Sequence, residues 1–198
     1  MLPFDGHGGT VFILGGGASL RGFDFGRLRG RHVIAINALG HDAPFADILY
    51  FRDRLWLKDA SNLALVSNWS GMVVTECRHN SIPDHVHRIA AQPMEHFTVN
   101  RSPIKGGRSS GHTAVGLAVG VGFKTLMLLG FDCRLVDGRS HSHDRYRAAD
   151  PSLYRNAFLP AWRGWRGAAE RIGARIINAT PGSAIDEFER AAVEEVLA

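Results

Sequence analysis

Six short apolar runs set what this chain can fold into: Val11–Leu14, His32–Asn37, Ala46–Phe51, Met72–Thr75, Lys124–Gly130 and Arg175–Ala179. They do not alternate apolar with polar residues, so neither side of such a strand can face water. Longer spacers with helical character separate several of them. Strands buried on both faces and joined by crossovers form a doubly wound sheet. The expectation is therefore an α/β, Rossmann-like, mainly parallel sheet flanked by helices. The 198 residues fit one nucleotide-binding domain spanning residues 1–198, with irregular segments 78–110 and 132–151 near the presumed site.

The spacers carry their own signals. Ser19 to Leu28 reads as a short helix or turn with Asp24 as its cap, and Arg54 to Asn62 as helical. Gly111 to Phe123 reads as a small-residue helix able to lie close on the sheet. Leu153 to Ile172 reads as a longer helix that Pro160 kinks or breaks. A strand is expected around His85 to Ala90, and a terminal amphipathic helix from Ile185 to Leu197. Trp162, Trp165 and that terminal helix offer a surface for homo-oligomer formation.

Hydrophobic residues make up 45% of the chain and charged residues 21%, which is globular usage and excludes long disorder. The formal charge of +4 suits an anionic ligand and permits, without a recognisable motif, contact with nucleic acid. Nearly all positive charge is arginine, the side chain suited to bidentate phosphate recognition. Cys77 and Cys133 end apolar runs and are expected to be free thiols. No basic-then-apolar leader pattern and no apolar run of ~18 residues is present, so a cytoplasmic protein without a membrane span is expected.

Polar groups capable of chemistry fall at the carboxyl ends of the expected strands, where open parallel sheets bind ligands. Gly15, Gly16, Gly17, Ala18 and Ser19 follow the first strand and form a turn able to aim N–H groups at a phosphate, or simply a tight turn. Asn37 closes the second strand, as a ligand contact or a turn residue. Asp53 closes the third, as a ligand or base group or a helix cap. Ser109, Ser110 and Gly111 precede a helix and make a second anion-binding candidate. Asp132 follows the fifth long run. His141 and His143 lie in the polar loop beyond it with Tyr146, where the two imidazoles could ligate a metal given a third ligand such as Asp144 or Asp132, or one could act as general acid or base. No residue is assigned to a metal.

The order of these motifs resembles that of a group containing the DUF115/MptE-like proteins and the bacterial sialyltransferases of glycosyltransferase family 42. The resemblance rests on Gly15–Leu20, Val33–Asn37, Ala46–Asp53, Ser109–Gly111, Thr125–Asp132 and Ile177–Ile185, over most of the chain. Ala18 stands where that group usually has proline. The compact form is also similar to uncharacterised phage and prophage proteins. The sialyltransferase branch implies a nucleotide-sugar donor, CMP-sugar favoured, transfer to a hydroxyl acceptor, a histidine general base and tyrosines near the leaving phosphate. His141 and His143 both fit the base, and Tyr146 and Tyr154 fit the tyrosines. The MptE-like branch implies instead a Mg2+-dependent pyrophosphokinase, with Asp53, Asp132 or Asp144 near the metal. A non-catalytic nucleotide- or nucleic-acid-binding phage protein is the third reading.

Overall fold

A computed structural model describes residues 5–79, 82–93, 104–146 and 149–197. Parts of the expected irregular segments, at 80–81, 94–103 and 147–148, lie outside the described residues. The strands are β1 (Thr10–Leu14), β2 (His32–Ile36), β3 (Ile48–Phe51), β4 (Met72–Thr75), β5 (His87–Arg88), β6 (Ala91–Pro93), β7 (Ile104–Gly106), β8 (Thr125–Leu129), β9 (Arg175–Asn178) and β10 (Glu189–Arg190). The helices are α1 (Leu39–Asp42), α2 (Ala60–Ser67), α3 (Ser110–Gly120), α4 (Pro151–Leu153), α5 (Trp165–Arg171) and α6 (Val193–Leu197).

Eight strands form one sheet in the order β10-β9-β8-β1-β2-β3-β4-β5, every neighbouring pair parallel. This is the Rossmann-like α/β sheet read from the six apolar runs. β6 and β7 pair separately. The chain winds outward from β1 in one direction through β2 to β5, and in the other through β8 to β10. The reversal between β1 and β8 is the topological switch point, where crossovers diverge and leave a crevice beyond the strand ends.

The continuous apolar runs are explained by two cores, one on each face of the sheet. Val11 and Ile13 of β1 point to the face covered by α3, Trp162 and Trp165, while Phe12 and Leu14 point to the face covered by Leu20, Leu39 and Trp56. A period of two thus serves both sides of a strand that is apolar throughout.

Asp24 caps its turn by accepting from Gly26 N–H at 2.9 Å, as expected, although the segment forms two short 3-10 turns rather than a helix. Arg54 to Asn62 is divided: a 3-10 turn ends at Lys58, and Asp59 caps α2. Pro160 falls where the expected long helix breaks. A π-turn at Tyr154–Phe158 passes into a 3-10 turn at Pro160–Trp162, and Gly164 at φ 81° resets the chain before α5. The expected strand near His85 to Ala90 is the two-residue β5.

Two expectations are corrected. Ile185–Leu197 is not one helix, because its first part is drawn into the sheet: Glu189 and Arg190 pair in parallel with β9, leaving the five-residue α6. Nor are Trp162 and Trp165 an exposed surface. They are 2% and 1% exposed and meet edge to face within the core, where Trp162 stacks on His112 and Trp165 meets that ring edge-on. Arg27 pairs with Glu194, and Arg31 donates to the Leu197 carbonyl, so α6 is also held against its own chain. The two tryptophans are therefore core residues and offer no surface to a partner. No helix among the described residues is long and apolar enough to cross a membrane.

Candidate active site at the switch point

A cleft of about 620 Å³ opens beyond the carboxyl ends of β1, β2, β3 and β8. Of the residues singled out in the sequence, Gly15, Gly16, Gly17, Asn37, Asp53, Ser109, Ser110, Gly111, Asp132, His141, His143 and Tyr146 line it. The convergence follows from the topology, since all strands are parallel and present their carboxyl ends on one edge.

The glycine turn is built for close packing. Gly15 N–H donates to the Leu129 carbonyl at 2.8 Å and Gly17 N–H to the Gly130 carbonyl at 2.9 Å. A Cβ on Gly17 would lie 1.7 Å from Asp132 Oδ2 and 2.5 Å from the Gly130 oxygen. Ser19 donates from its amide to Asp132 Oδ1 (3.2 Å) and from its hydroxyl to Oδ2 (2.9 Å). Asp132 thus clamps the turn that follows β1 to the end of β8. Ala18 is buried, and neither it nor Ser19 lines the cleft. Gly16 is the cleft-lining member of the turn whose N–H these bonds do not take. Burial raises the Asp132 pKa, opposed by the two bonds from Ser19.

The second loop offers more to an anion. Residues Arg108–Gly111 line the cleft where α3 begins, and this eleven-residue helix aims its first amides and its positive dipole end there. Ser109 turns back on His112: its amide and its hydroxyl lie 3.2 and 2.7 Å from His112 Nδ1. Ser110 keeps its hydroxyl at the first turn. Arg52 ties the loop to the sheet, donating to the Gly107 carbonyl at 2.7 Å while its Nε meets Glu76 at 2.7 Å. Glu76 offsets that guanidinium; Arg54 and Arg108, both exposed and both lining the cleft, form no ion pair among the described residues.

Asn37 adopts φ 52°, a left-handed conformation asparagine tolerates better than most residues, and its buried Oδ1 has no hydrogen-bond partner. An acceptor in that state favours a ligand N–H or O–H. Asp53 caps the following turn by accepting from Leu55 N–H at 2.7 Å, the helix-cap reading of that residue. The Tyr146 ring stands edge-on to both histidines, but its hydroxyl is sealed from solvent beside Trp56 and Ala38, and burial raises its pKa to about 12. Tyr154, on the π-turn, also lines the cleft. Cys133 faces it too, with its thiol pushed by burial to about 11, so the thiolate is scarce at neutral pH.

His141 and His143 stack in parallel, ring centres 5.4 Å apart. Burial lowers the pKa of His141, and burial with the neighbouring His141 and Arg145 lowers His143 to about 4. Both are neutral imidazoles at pH 7. Each carboxylate that the pyrophosphokinase reading would put near a metal has a partner within the chain. Asp53 caps a turn, Asp132 holds Ser19, and Asp144 pairs with Arg139 and Arg21. Among the described residues no group of three His, Cys, Asp or Glu side chains converges.

Three residues that the sequence did not single out shape the site. Glu76 holds Arg52; its only signal was its place just past β4. Ser140 is 5% exposed and bonded to His141. His112 is fully buried and stacks on Trp162 at 3.8 Å. Burial drops its pKa to about 3, against a small opposing effect of the Phe158 carbonyl. Below about pH 6.5 the unfolded chain binds a proton that folded His112 refuses, so stability falls as pH drops from about 6.5 toward about 3. From pH 7 to 5 the loss from this residue is about 2 kcal/mol. Raised Asp132 works in the opposite direction, so the check is a difference: urea midpoints should fall less steeply with acid in His112→Phe than in wild type. Equal slopes would refute the assignment.

A parallel α/β sheet with its cleft at the switch point defines the Rossmann-like class. Within that class the chain superposes on the sialyltransferase CST-II in complex with trisaccharide acceptor and CMP, with TM-score 0.54 and 15% identity, covering 92% of this chain and 86% of that one. A second match is the sialyltransferase CstII from Campylobacter jejuni in complex with a substrate analogue, CMP-3FNeuAc, with TM-score 0.53 and 14% identity, covering 93% and 86%. At these identities the likeness establishes the fold. No family model and no curated protein matches the sequence.

Proposed function

We propose that this chain is a transferase that binds a nucleotide-activated sugar, a CMP-sugar favoured, in the switch-point cleft and moves the sugar to an acceptor hydroxyl. The observation that carries this reading is one cleft holding both a neutral, cleft-lining imidazole, His141, and the arginine-flanked N-terminus of α3. These are the two things such a displacement needs. His141 takes the proton of the acceptor hydroxyl as its oxygen attacks the anomeric carbon. The bond from that carbon to the nucleotide phosphate breaks, and the phosphate leaves with the electron pair. The α3 amides, Ser110, Arg108 and Arg54 then hold the charge that develops. Asn37, which lines the cleft and whose Oδ1 lacks a partner, is the candidate contact for the base or ribose. The CMP-bearing complexes of the fold neighbours favour CMP over other nucleotides.

Calorimetric titration with CMP, UDP, GDP and ADP, beside a hydrolysis assay across the matching sugar donors, tests this. CMP is expected to bind most tightly; no binding and no turnover of any donor would overturn the reading. Arg108→Ala should weaken CMP binding by about tenfold, the scale of one charge-assisted hydrogen bond, and flatten its salt dependence. Unchanged affinity would remove Arg108 from the phosphate site.

A further inference from the structure

A groove of about 230 Å³, separate from the cleft, is bordered by the segments Arg155–Arg163 and Ala184–Glu187. It shares two walls with the cleft. The first is the π-turn, closed by Leu159 N–H donating to the Tyr154 carbonyl at 2.9 Å. Tyr154 and Phe158 line the cleft, while Arg155 and Leu159 line the groove. The second is the segment that follows β8. Ala184 N–H donates to the Asp132 carbonyl at 2.8 Å, and the Ser183 hydroxyl donates to the Phe131 carbonyl at 2.6 Å. The chain bordering the groove is thus tied to residues that line the cleft.

The groove differs from the cleft in its chemistry. Its apolar part is Leu159, Pro160, Trp162 and Ile185, and its polar part is Arg155, Arg163, Asp186 and Glu187. Opposite charges sharing so small a space ordinarily pair. Here none of the four forms an ion pair among the described residues, and Arg155, Arg163 and Asp186 make no side-chain hydrogen bond there either. The walls are held in place. Glu187 accepts the Arg166 N–H at 3.1 Å, and Arg190 donates to the Ser183 and Ile185 carbonyls at 2.7 and 3.0 Å. Trp162 is fixed by its stack on His112. A guanidinium only donates and a carboxylate only accepts, whereas a hydroxyl does both. A ligand rich in hydroxyls therefore satisfies both kinds of charge and can lay a C–H face on the apolar part. The two positive and two negative side chains sum to zero, so the groove offers an anion no net attraction. Its volume falls below the roughly 300–1,000 Å³ of sites for drug-sized ligands, the scale of a single ring.

We infer that this groove is a second ligand site, which takes the pyranose ring of a neutral sugar. Its further role rests on the transferase reading above: that ring is the next residue of an acceptor whose reacting hydroxyl lies in the cleft, the acceptor passing over the π-turn.

The test is a ¹H–¹⁵N correlation titration of the wild-type protein with the methyl pyranosides of glucose, galactose, mannose and N-acetylglucosamine. Glycine and inorganic phosphate represent zwitterionic and anionic ligands. At least one pyranoside is expected to shift the amides of Arg155, Arg163 and Glu187 and the indole N–H of Trp162, while glycine and phosphate leave them in place. If no pyranoside moves these signals, or if glycine or phosphate moves them more, the inference is overturned. Arg163→Ala and Asp186→Ala should each weaken sugar binding about tenfold, the scale of one hydrogen bond to a charged group, with the rest of the spectrum unchanged. Sugar binding unaltered in both variants would place the sugar elsewhere and equally refute the groove. In the transfer assay, lengthening the acceptor from one sugar to two should raise kcat/KM about tenfold in wild type and leave it unchanged in Arg163→Ala. No gain in wild type would overturn the acceptor role. If wild type turns over no nucleotide sugar while a pyranoside fills the groove, the transferase reading fails and the groove stands as a sugar site.

Discussion

Gly17→Ala is expected to destabilise the protein by about 3 kcal/mol or more, because its Cβ would enter the space of two oxygens at once. One, Asp132 Oδ2, belongs to a side chain, but one held by Ser19; the other is the Gly130 main-chain carbonyl, which cannot move without disturbing the end of β8. For a domain of this size the melting temperature should fall by roughly 6–12 °C. Gly16→Ala is the matched control. Its Cβ would meet His141 Cδ2 at 3.5 Å and Leu39 Cδ2 at 3.7 Å, ordinary contact distances, so the melting temperature should stay near wild type. The new methyl would instead stand in the cleft between the turn and His141, so any loss should appear in ligand binding. Thermal unfolding of the two variants side by side checks the distinction. Equal effects would mean that the turn is not clamped to Asp132 as described.

His141→Asn should lower turnover by a factor of about 10²–10⁴, the usual range for removing a positioned general base, while nucleotide affinity stays within about twofold. His143→Asn should cost about tenfold, the scale of one neutral hydrogen bond. The pH profile carries a second mark. A base must be deprotonated to act, and burial lowers the His141 pKa, so the acid limb of kcat/KM should lie below pH 6.5. An acid limb above that value, or a larger loss in His143→Asn than in His141→Asn, would exchange the roles of the two residues.

Much of this was readable from the chain because it depends on local order. Apolar runs without alternation can only be interior strands, and the spacers between them require crossovers. A parallel sheet then puts the residues after each strand on one edge. That is why Gly15–Gly17, Asn37, Asp53, Ser109–Gly111, Asp132, His141 and His143 were legible as one site although up to 128 residues separate them. Asp24 and Asp53 were legible as caps because a cap is satisfied two residues away.

What the sequence left open turned on partners distant in the chain. Ser19 has the look of a phosphate ligand until Asp132, 113 residues on, takes both its amide and its hydroxyl. Trp162 and Trp165 look like an interface until His112 is seen filling the space against them. Ile185–Leu197 has helical periodicity, but the open edge of β9 offered Glu189 and Arg190 hydrogen bonds that a short amphipathic helix could not match. The glycine turn is the clearest case. Its composition marked a turn, either tight or able to aim its N–H groups at a phosphate. Only the tertiary structure decided that the turn packs on the Gly130–Asp132 segment, because that segment comes from the strand on the other side of the switch point. The same packing leaves the start of α3 facing the cleft.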